Sequence, residues 1–153
     1  MSLSVHATAL LVGAHGVLVR GASGSGKSAL ALALIERGAR LIADDRVTLA
    51  KVHERVIATA PRATAGMIEL RGHGILHEAS ERGGVIRLVA DIVEEDMVER
   101  MPEPEELVTT LLGITVRRQP VPPHAMRAAQ LVQAALGVLP HRDAGLRSAK
   151  VWG

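Results

Sequence analysis

The chain has 153 residues, 48% of them hydrophobic, with no Phe, no Tyr, no Cys, a single Trp at position 152 and a formal net charge of +2. That length makes about one domain, burying on the order of 70% of its unfolded surface around a core of Leu, Ile, Val, Ala and Met. Without aromatics, base stacking on single-stranded nucleic acid is disfavoured; scattered arginines make a mixed surface rather than a nucleic-acid or membrane patch; the lack of cysteine removes disulfide and thiolate chemistry and points to the cytoplasm.

In chain order, residues 3–20 read as two strands, LSVHATALLV and HGVLVR, with a turn at Gly13–His15. The apolar start lacks a basic lead and is too short for a signal peptide or a membrane span. GASGSGKS follows, then SALALALIERG, a helix stopped at Gly38. LIA is a buried strand, VTLAKV and RVIATA are two more, and GMIELRG is another before a glycine-rich bend. VIRLVADI, residues 85–92, is the next strand. MPEPEELVTTLLG reads as a helix with proline and acidic residues in its first turn and glycine at its end. ITVRRQPV is a strand, and PHAMRAAQLVQAALG is the last helix, closing at Gly137. Residues 140–153 form a basic, weakly patterned tail whose Trp152 can dock on the body or on a neighbouring subunit. No repeat or composition break divides the chain, so residues 1–153 are expected to form a single α/β domain with a sheet richer in strands than in helices.

Gly21, Ala22, Ser23, Gly24, Ser25, Gly26, Lys27 and Ser28 satisfy G-x-x-x-x-G-K-[ST]. Glycines let successive backbone N–H groups turn toward phosphate oxygens, Lys27 reaches the β- and γ-phosphates, and Ser28 can hold Mg²⁺. A strand before the loop and a helix after it are what that mechanism requires, and they separate it from a flexible Gly/Ser turn with a solvated lysine. Asp44 and Asp45 end the next strand side by side. Adjacent like charges ask for solvent or a cation, and Mg²⁺ at the loop supplies the cation. Alternation along an extended strand would turn the two carboxylates different ways, one to the metal or Ser28 and the other to an incoming hydroxyl. The alternative is an Asp-Asp turn that merely ends a strand.

With GASGSGKS, the aspartate pair and IELRGHGIL together, the sequence resembles the catalytic C-terminal domain of HPr kinase/phosphorylase, in a short form without the family's N-terminal domain. The spacing carries the likeness: His6 stands fifteen residues before Gly21, and Asp45 eighteen after Lys27. The resemblance implies an α/β fold with one P-loop domain, a mixed sheet and flanking helices, of the HPr kinase and PEP carboxykinase-like kind. It implies ATP and Mg²⁺ as cofactors, a serine of an HPr-like phosphocarrier protein as acceptor, a cytoplasmic location and a homo-oligomer, a hexamer in the family. His6, by itself an unremarkable strand histidine, matches the active-site histidine. Lys27 matches the phosphate lysine, Ser28 the metal-binding serine, and Asp45 the group that takes a proton in phosphorylation and returns it in the reverse step, with Asp44 beside it at the metal. Glu69 matches a second metal carboxylate within residues 68–77, a stretch the family needs for both reactions; taken alone, Glu69 and Arg71 could be an exposed ion pair. Arg100 matches an active-site arginine; taken alone, it could be a surface arginine.

The chain departs from the family at QPVPPHAM, residues 119–126, where members with strong phosphorylase activity resemble P-V-R-P-G-R. Both arginines are missing, which casts doubt on phosphorolysis and on the grip on the partner. The competing readings are a small-molecule P-loop kinase, which usually needs a base-stacking aromatic and an arginine-rich lid, and a non-enzymatic ATP-binding regulatory module. Zinc at His73 and His77 is set aside, because flanking glycines spoil a helix and no further ligand set surrounds them.

Overall fold

The computed structural model describes residues 2–99 and 101–137. Arg100, Trp152 and the 140–153 tail lie outside the described residues. The strands are β1 (Ser2–Val5), β2 (Thr8–Val12), β3 (His15–Arg20), β4 (Arg40–Ala43), β5 (Val47–Val52), β6 (Arg55–Thr59), β7 (Met67–Leu70), β8 (Gly74–His77), β9 (Gly83–Ile92), β10 (Val108–Leu111) and β11 (Ile114–Val121). The helices are α1 (Lys27–Glu36), α2 (Glu95–Glu99) and α3 (Ala125–Leu136), with 3-10 turns at Arg62–Thr64 and Pro104–Leu107. Among the described residues no helix is long and apolar enough to cross a membrane.

Nine strands form one mixed sheet in the order β1-β5-β6-β9-β3-β2-β4, with β11 on β9 and β10 on β11; β7 and β8 form a separate hairpin. The ten-residue β9 joins the halves: Val85 pairs with Ile57 of β6, while Leu88 to Asp91 run parallel to β3 and β11. Its central residues Leu88, Val89 and Ala90 are buried, as a strand covered on both faces must be. On one face Leu30, Ala31 and Leu34 of α1 and Ala128, Ala129 and Val132 of α3 pack on Leu10, Val17, Val19 and Leu88. On the other, the curled sheet closes on Leu18, Ile42, Leu49, Val56, Val89 and Val116. Each fully buried Leu or Ile contributes roughly 1.5–3 kcal/mol, so aliphatic residues suffice where aromatics are lacking.

Two sequence expectations are corrected, and two elements, β8 and α2, were not anticipated. LSVHATALLV is two strands: the chain breaks at His6 and Ala7, β1 pairs with β5, and β2 lies between β3 and β4. The helix expected over 101–113 is a 3-10 turn followed by β10. Its start signals are genuine, since Glu103 and Glu106 make a capping box with Pro104 at the first position. Val108, Thr109 and Thr110 are β-branched, however, and Leu112 (φ 49°) and Gly113 (φ 80°) make the two-residue turn of a hairpin with β11. The glycine-rich bend after β7 turns straight into β8, and α2 gave no sequence signal.

Behind the loop that opens at Gly21, Arg20 at the end of β3 bonds Asp91 of β9 through Nε and Nη2, each at 2.8 Å. Arg118 of β11 bonds the same carboxylate at 2.5 Å and donates to the Glu106 carbonyl. Burial pushes the Asp91 carboxyl up, but the hydrogen bonds from Arg20 and Arg118 outweigh it and hold the group below the usual carboxylate range. Replacing Asp91 by Ala strands two guanidinium groups and is expected to destabilise the fold by about 2 kcal/mol near neutral pH. A depressed folded pKa gives stability that is present above the unfolded value of roughly 4 and is lost as pH falls through the folded one. The gap between wild type and variant in urea melts should therefore narrow below about pH 4; a gap independent of pH would refute the ion-pair account.

Candidate phosphate-loop site

The C-terminal end of β3 delivers Gly21, and α1 begins at Lys27 with Gly26 as its cap at φ 109°. Gly24 (φ 81°) and Gly26 adopt the left-handed backbone that lets the N–H groups turn inward. Gly21 is required by close approach instead, because a Cβ there would stand 2.4 Å from Ser25 Oγ and 3.2 Å from Ile92 Cβ. The N-terminus of α1 and the loop amides make the anion-binding mouth expected from the motif. Lys27 is buried, and its Nζ donates to the Gly21 and Ala22 carbonyls at 3.0 and 3.2 Å, so the ammonium already stands inside the loop's curve.

The aspartates part company at the end of β4, though alternation is not the cause. Asp44 is 6% exposed and acts as a hub. Ser28 Oγ lies 3.0 Å from both its carboxylate oxygens, the Thr8 hydroxyl donates to Oδ1 at 2.7 Å, and the Glu69 backbone N–H donates to Oδ2 at 3.3 Å. Asp45 leaves the strand at φ 71°, a conformation aspartate tolerates better than most residues, and its carboxylate turns outward. There His6 Nε2 meets Asp45 Oδ1 at 2.7 Å. Strand β4 lies beside β2, not β3, yet two successive antiparallel pairings put the ends of β3 and β4 on the same edge of the sheet.

One cavity of about 310 Å³ gathers the candidates: His6, Lys27, Ser28, Asp44, Asp45 and Glu69 line it together with Ser23, Gly24 and Gly26. Glu69, on β7, is exposed; Arg71 stands on the turn beyond that strand, and no ion pair joins the two. Ser28, Asp44 and Glu69 present the hard oxygen donors that suit Mg²⁺. The arginine-free stretch does other work: Pro122 is buried and His124 caps α3, its Nδ1 accepting the Arg127 N–H at 3.2 Å.

A model of the HPr serine kinase C-terminal domain matches residues 1–152. The chain belongs to that family. It is 34% identical over 142 residues to HPr kinase/phosphorylase of Clostridium beijerinckii, covering 86% of this chain and 47% of that protein. It is 50% identical over 74 residues to HPr kinase/phosphorylase of Lactobacillus delbrueckii subsp. bulgaricus, 48% of this chain and 23% of that one. The structure of the Hpr(Ser) kinase/phosphatase from Coxiella burnetii matches with a TM-score of 0.75 and 27% identity over 88% of this chain and 96% of that one. This HPr serine kinase domain thus spans about half the length of the Clostridium beijerinckii relative, and its fold is the expected mixed α/β P-loop architecture.

Thr8 is the site residue that sequence reasoning missed. It is wholly buried, and only the pairing of β2 with β4 brings its hydroxyl to Asp44; a lone threonine on an apolar strand carries no signal. Thr8→Val keeps the shape and removes the donor. It is expected to raise the Mg²⁺ concentration needed for half-maximal binding of a fluorescent ATP analogue about fivefold, the equivalent of one hydrogen bond, and Thr8→Ser should restore it. An unchanged Mg²⁺ dependence would make the hydroxyl purely structural.

Proposed function

We propose that this domain is the catalytic part of a cytoplasmic ATP- and Mg²⁺-dependent protein kinase that phosphorylates a serine on an HPr-type phosphocarrier. The observation that carries the reading is the pairing of an exposed His6–Asp45 dyad with the phosphate loop at the mouth of one cavity. A nucleoside triphosphate seats its phosphates on the amides of residues 21–28, with Lys27 against the β- and γ-oxygens. Ser28, Asp44 and Glu69 are the residues that would hold Mg²⁺, which when bound offsets phosphate charge. Asp45, steadied by His6, accepts the serine hydroxyl proton as the serine oxygen bonds to the γ-phosphorus and the bond to the β,γ-bridging oxygen breaks, releasing ADP.

An exposed acceptor carboxylate suits a serine presented on a protein surface better than a small molecule enclosed in a pocket. The missing arginines over 119–126 favour the forward reaction over phosphorolysis by inorganic phosphate. Arg100 is proposed as a further active-site cation, and a homo-oligomer, hexameric by family likeness, as the assembly.

The deciding experiment is intact-mass spectrometry of the same organism's HPr-like protein incubated with this chain, ATP and Mg²⁺. One phosphate on a serine is the expected result, with slow or no removal when inorganic phosphate is added. ATP binding with no change in carrier mass would sink the acceptor assignment and move the search to small-molecule acceptors or a nucleotide-gated binding module.

A further inference from the structure

Away from the phosphate loop, a shallow depression of about 510 Å³ is lined by Val52, His53, Glu54, Arg55, Ile57 and Arg87. Val52 closes β5, Arg55 opens β6, His53 and Glu54 form the turn between them, and Arg87 belongs to β9. We infer that this depression is a second binding site, separate from the phosphoryl-transfer centre, for a small molecule bearing a carboxylate or phosphate group gripped between the Arg55 and Arg87 guanidinium groups. The inference does not depend on the kinase reading.

The strand registers bring the two arginines together. Ile57 pairs with Val85 across β6 and β9, and Val52 pairs with Arg55 across β5 and β6. Carried two residues further, the β6–β9 register brings Arg87 to the place opposite Arg55. Val52, Arg55 and Arg87 thus make one row across three strands, with Ile57 in the row behind, because alternate residues share a face. Like charges directly opposite each other repel, so the row asks for an anion. None is supplied by the fold: among the described residues Arg55 and Arg87 make no ion pair, whereas Arg20 and Arg118 are bound to Asp91, Arg40 to Glu81 and Arg127 to Glu95. Glu54 is the single carboxylate lining the depression and is bonded to neither arginine, so two cations stand against one acid.

The backbone is shaped to keep them there. Gly16 stands opposite Ile86 and Val17 opposite Leu88, so Arg87 is the extra residue of a bulge in β9, and a bulge re-aims the side chain it carries. The bulge requires Gly16, where a Cβ would lie 2.3 Å from the Val85 carbonyl oxygen. At the hairpin tip His53 takes φ 60°, a conformation few side chains adopt, and lines the depression. Four residues of β9 separate Arg87 from Asp91, the partner of Arg20 at the root of the phosphate loop, roughly 13 Å of strand. Each planar guanidinium can donate to two oxygens of one carboxylate or phosphate, and Val52 and Ile57 offer apolar surface to the carbon frame that bears it.

The test uses the full chain with isotope-labelled arginine and reads the Nε–Hε resonances of Arg55 and Arg87 by NMR, so an anion bound at the phosphate loop does not enter the measurement. Sodium succinate and sodium methyl phosphate would be titrated separately at constant ionic strength, with the exposed Arg62 as control. Both resonances should move together and saturate with a dissociation constant of about 1 mM or tighter, while Arg62 drifts without saturating. Saturation by succinate alone makes the ligand a carboxylate, and saturation by methyl phosphate alone makes it a phosphate ester. Arg55→Gln should weaken the response at Arg87 about tenfold, and Arg55→Lys, which keeps the charge without the fork, should weaken it less. Arg87→Gln read at Arg55 is the reciprocal measurement, and as both residues are exposed the variants should melt like wild type. Failure of both anions to saturate, or an Arg87 response indifferent to Arg55→Gln, would overturn the site.

Discussion

Asp45→Asn should bind ATP within about twofold of wild type while transferring its phosphate to the carrier about 10²–10⁴-fold more slowly, the usual worth of a positioned general base. The side chain of Asp45 is 75% exposed and makes no hydrogen bond to Ser28 or Lys27, so nucleotide binding has little reason to change. Its backbone sits at φ 71°, and asparagine tolerates the left-handed region as well as aspartate does, so the substitution removes basicity without refolding the turn. The His6 contact at 2.7 Å can persist to an asparagine oxygen, which isolates proton acceptance as the lost property. The check is a pair of measurements on one preparation: titration of a fluorescent ATP analogue and single-turnover transfer followed by mass. Retained transfer would remove Asp45 from the chemistry. Joint loss of binding and transfer would make it part of the loop's architecture instead.

Asp44→Ala should fail in a different way, losing stability as well as activity. The Asp44 carboxylate accepts from Thr8, Ser28 and the Glu69 backbone, and the residue is 6% exposed. Removing it leaves donors at the inner end of the cavity without their acceptor, at about 1–3 kcal/mol for each that water cannot reach. A total near 3 kcal/mol lowers the melting temperature of a domain this size by roughly 6–12 °C. The same change removes a metal carboxylate and the hydrogen bond that ties the β7–β8 hairpin to it, so Mg²⁺-dependent enhancement of ATP binding should largely disappear. Thermal melts and nucleotide titrations with and without Mg²⁺ read the two effects separately. A variant that melts like wild type would show that Asp44 does not tie strand β4 to the hairpin.

What was legible in the sequence was local in its physics. GASGSGKS carries its own mechanism, because glycine spacing, one lysine and one hydroxyl define a phosphate cradle wherever a strand precedes and a helix follows, and β3 and α1 stand there. The aspartate pair ended its strand where expected, and α3 and β11 were marked by their own periodicity and stop signals. GASGSGKS, the aspartate pair and IELRGHGIL together carried the resemblance to the family, and the match over residues 1–152 bears it out.

The tertiary structure decided whatever depended on residues far apart in the chain. His6 became a partner of Asp45 across 39 positions only because the chain breaks between β1 and β2. Thr8 became a support for Asp44 through the β2–β4 pairing, which no local pattern encodes. VTTL was drawn from the expected helix into a strand because β11 offered a ladder and Leu112–Gly113 the turn, an instance of pairing and turn geometry overriding a good helix start. The meeting of Arg55 with Arg87 through the β6–β9 register is of the same kind. Sequence spacing records neighbours along one element, whereas the charge and hydrogen-bond partners of a site are set by which elements the hydrophobic core brings together.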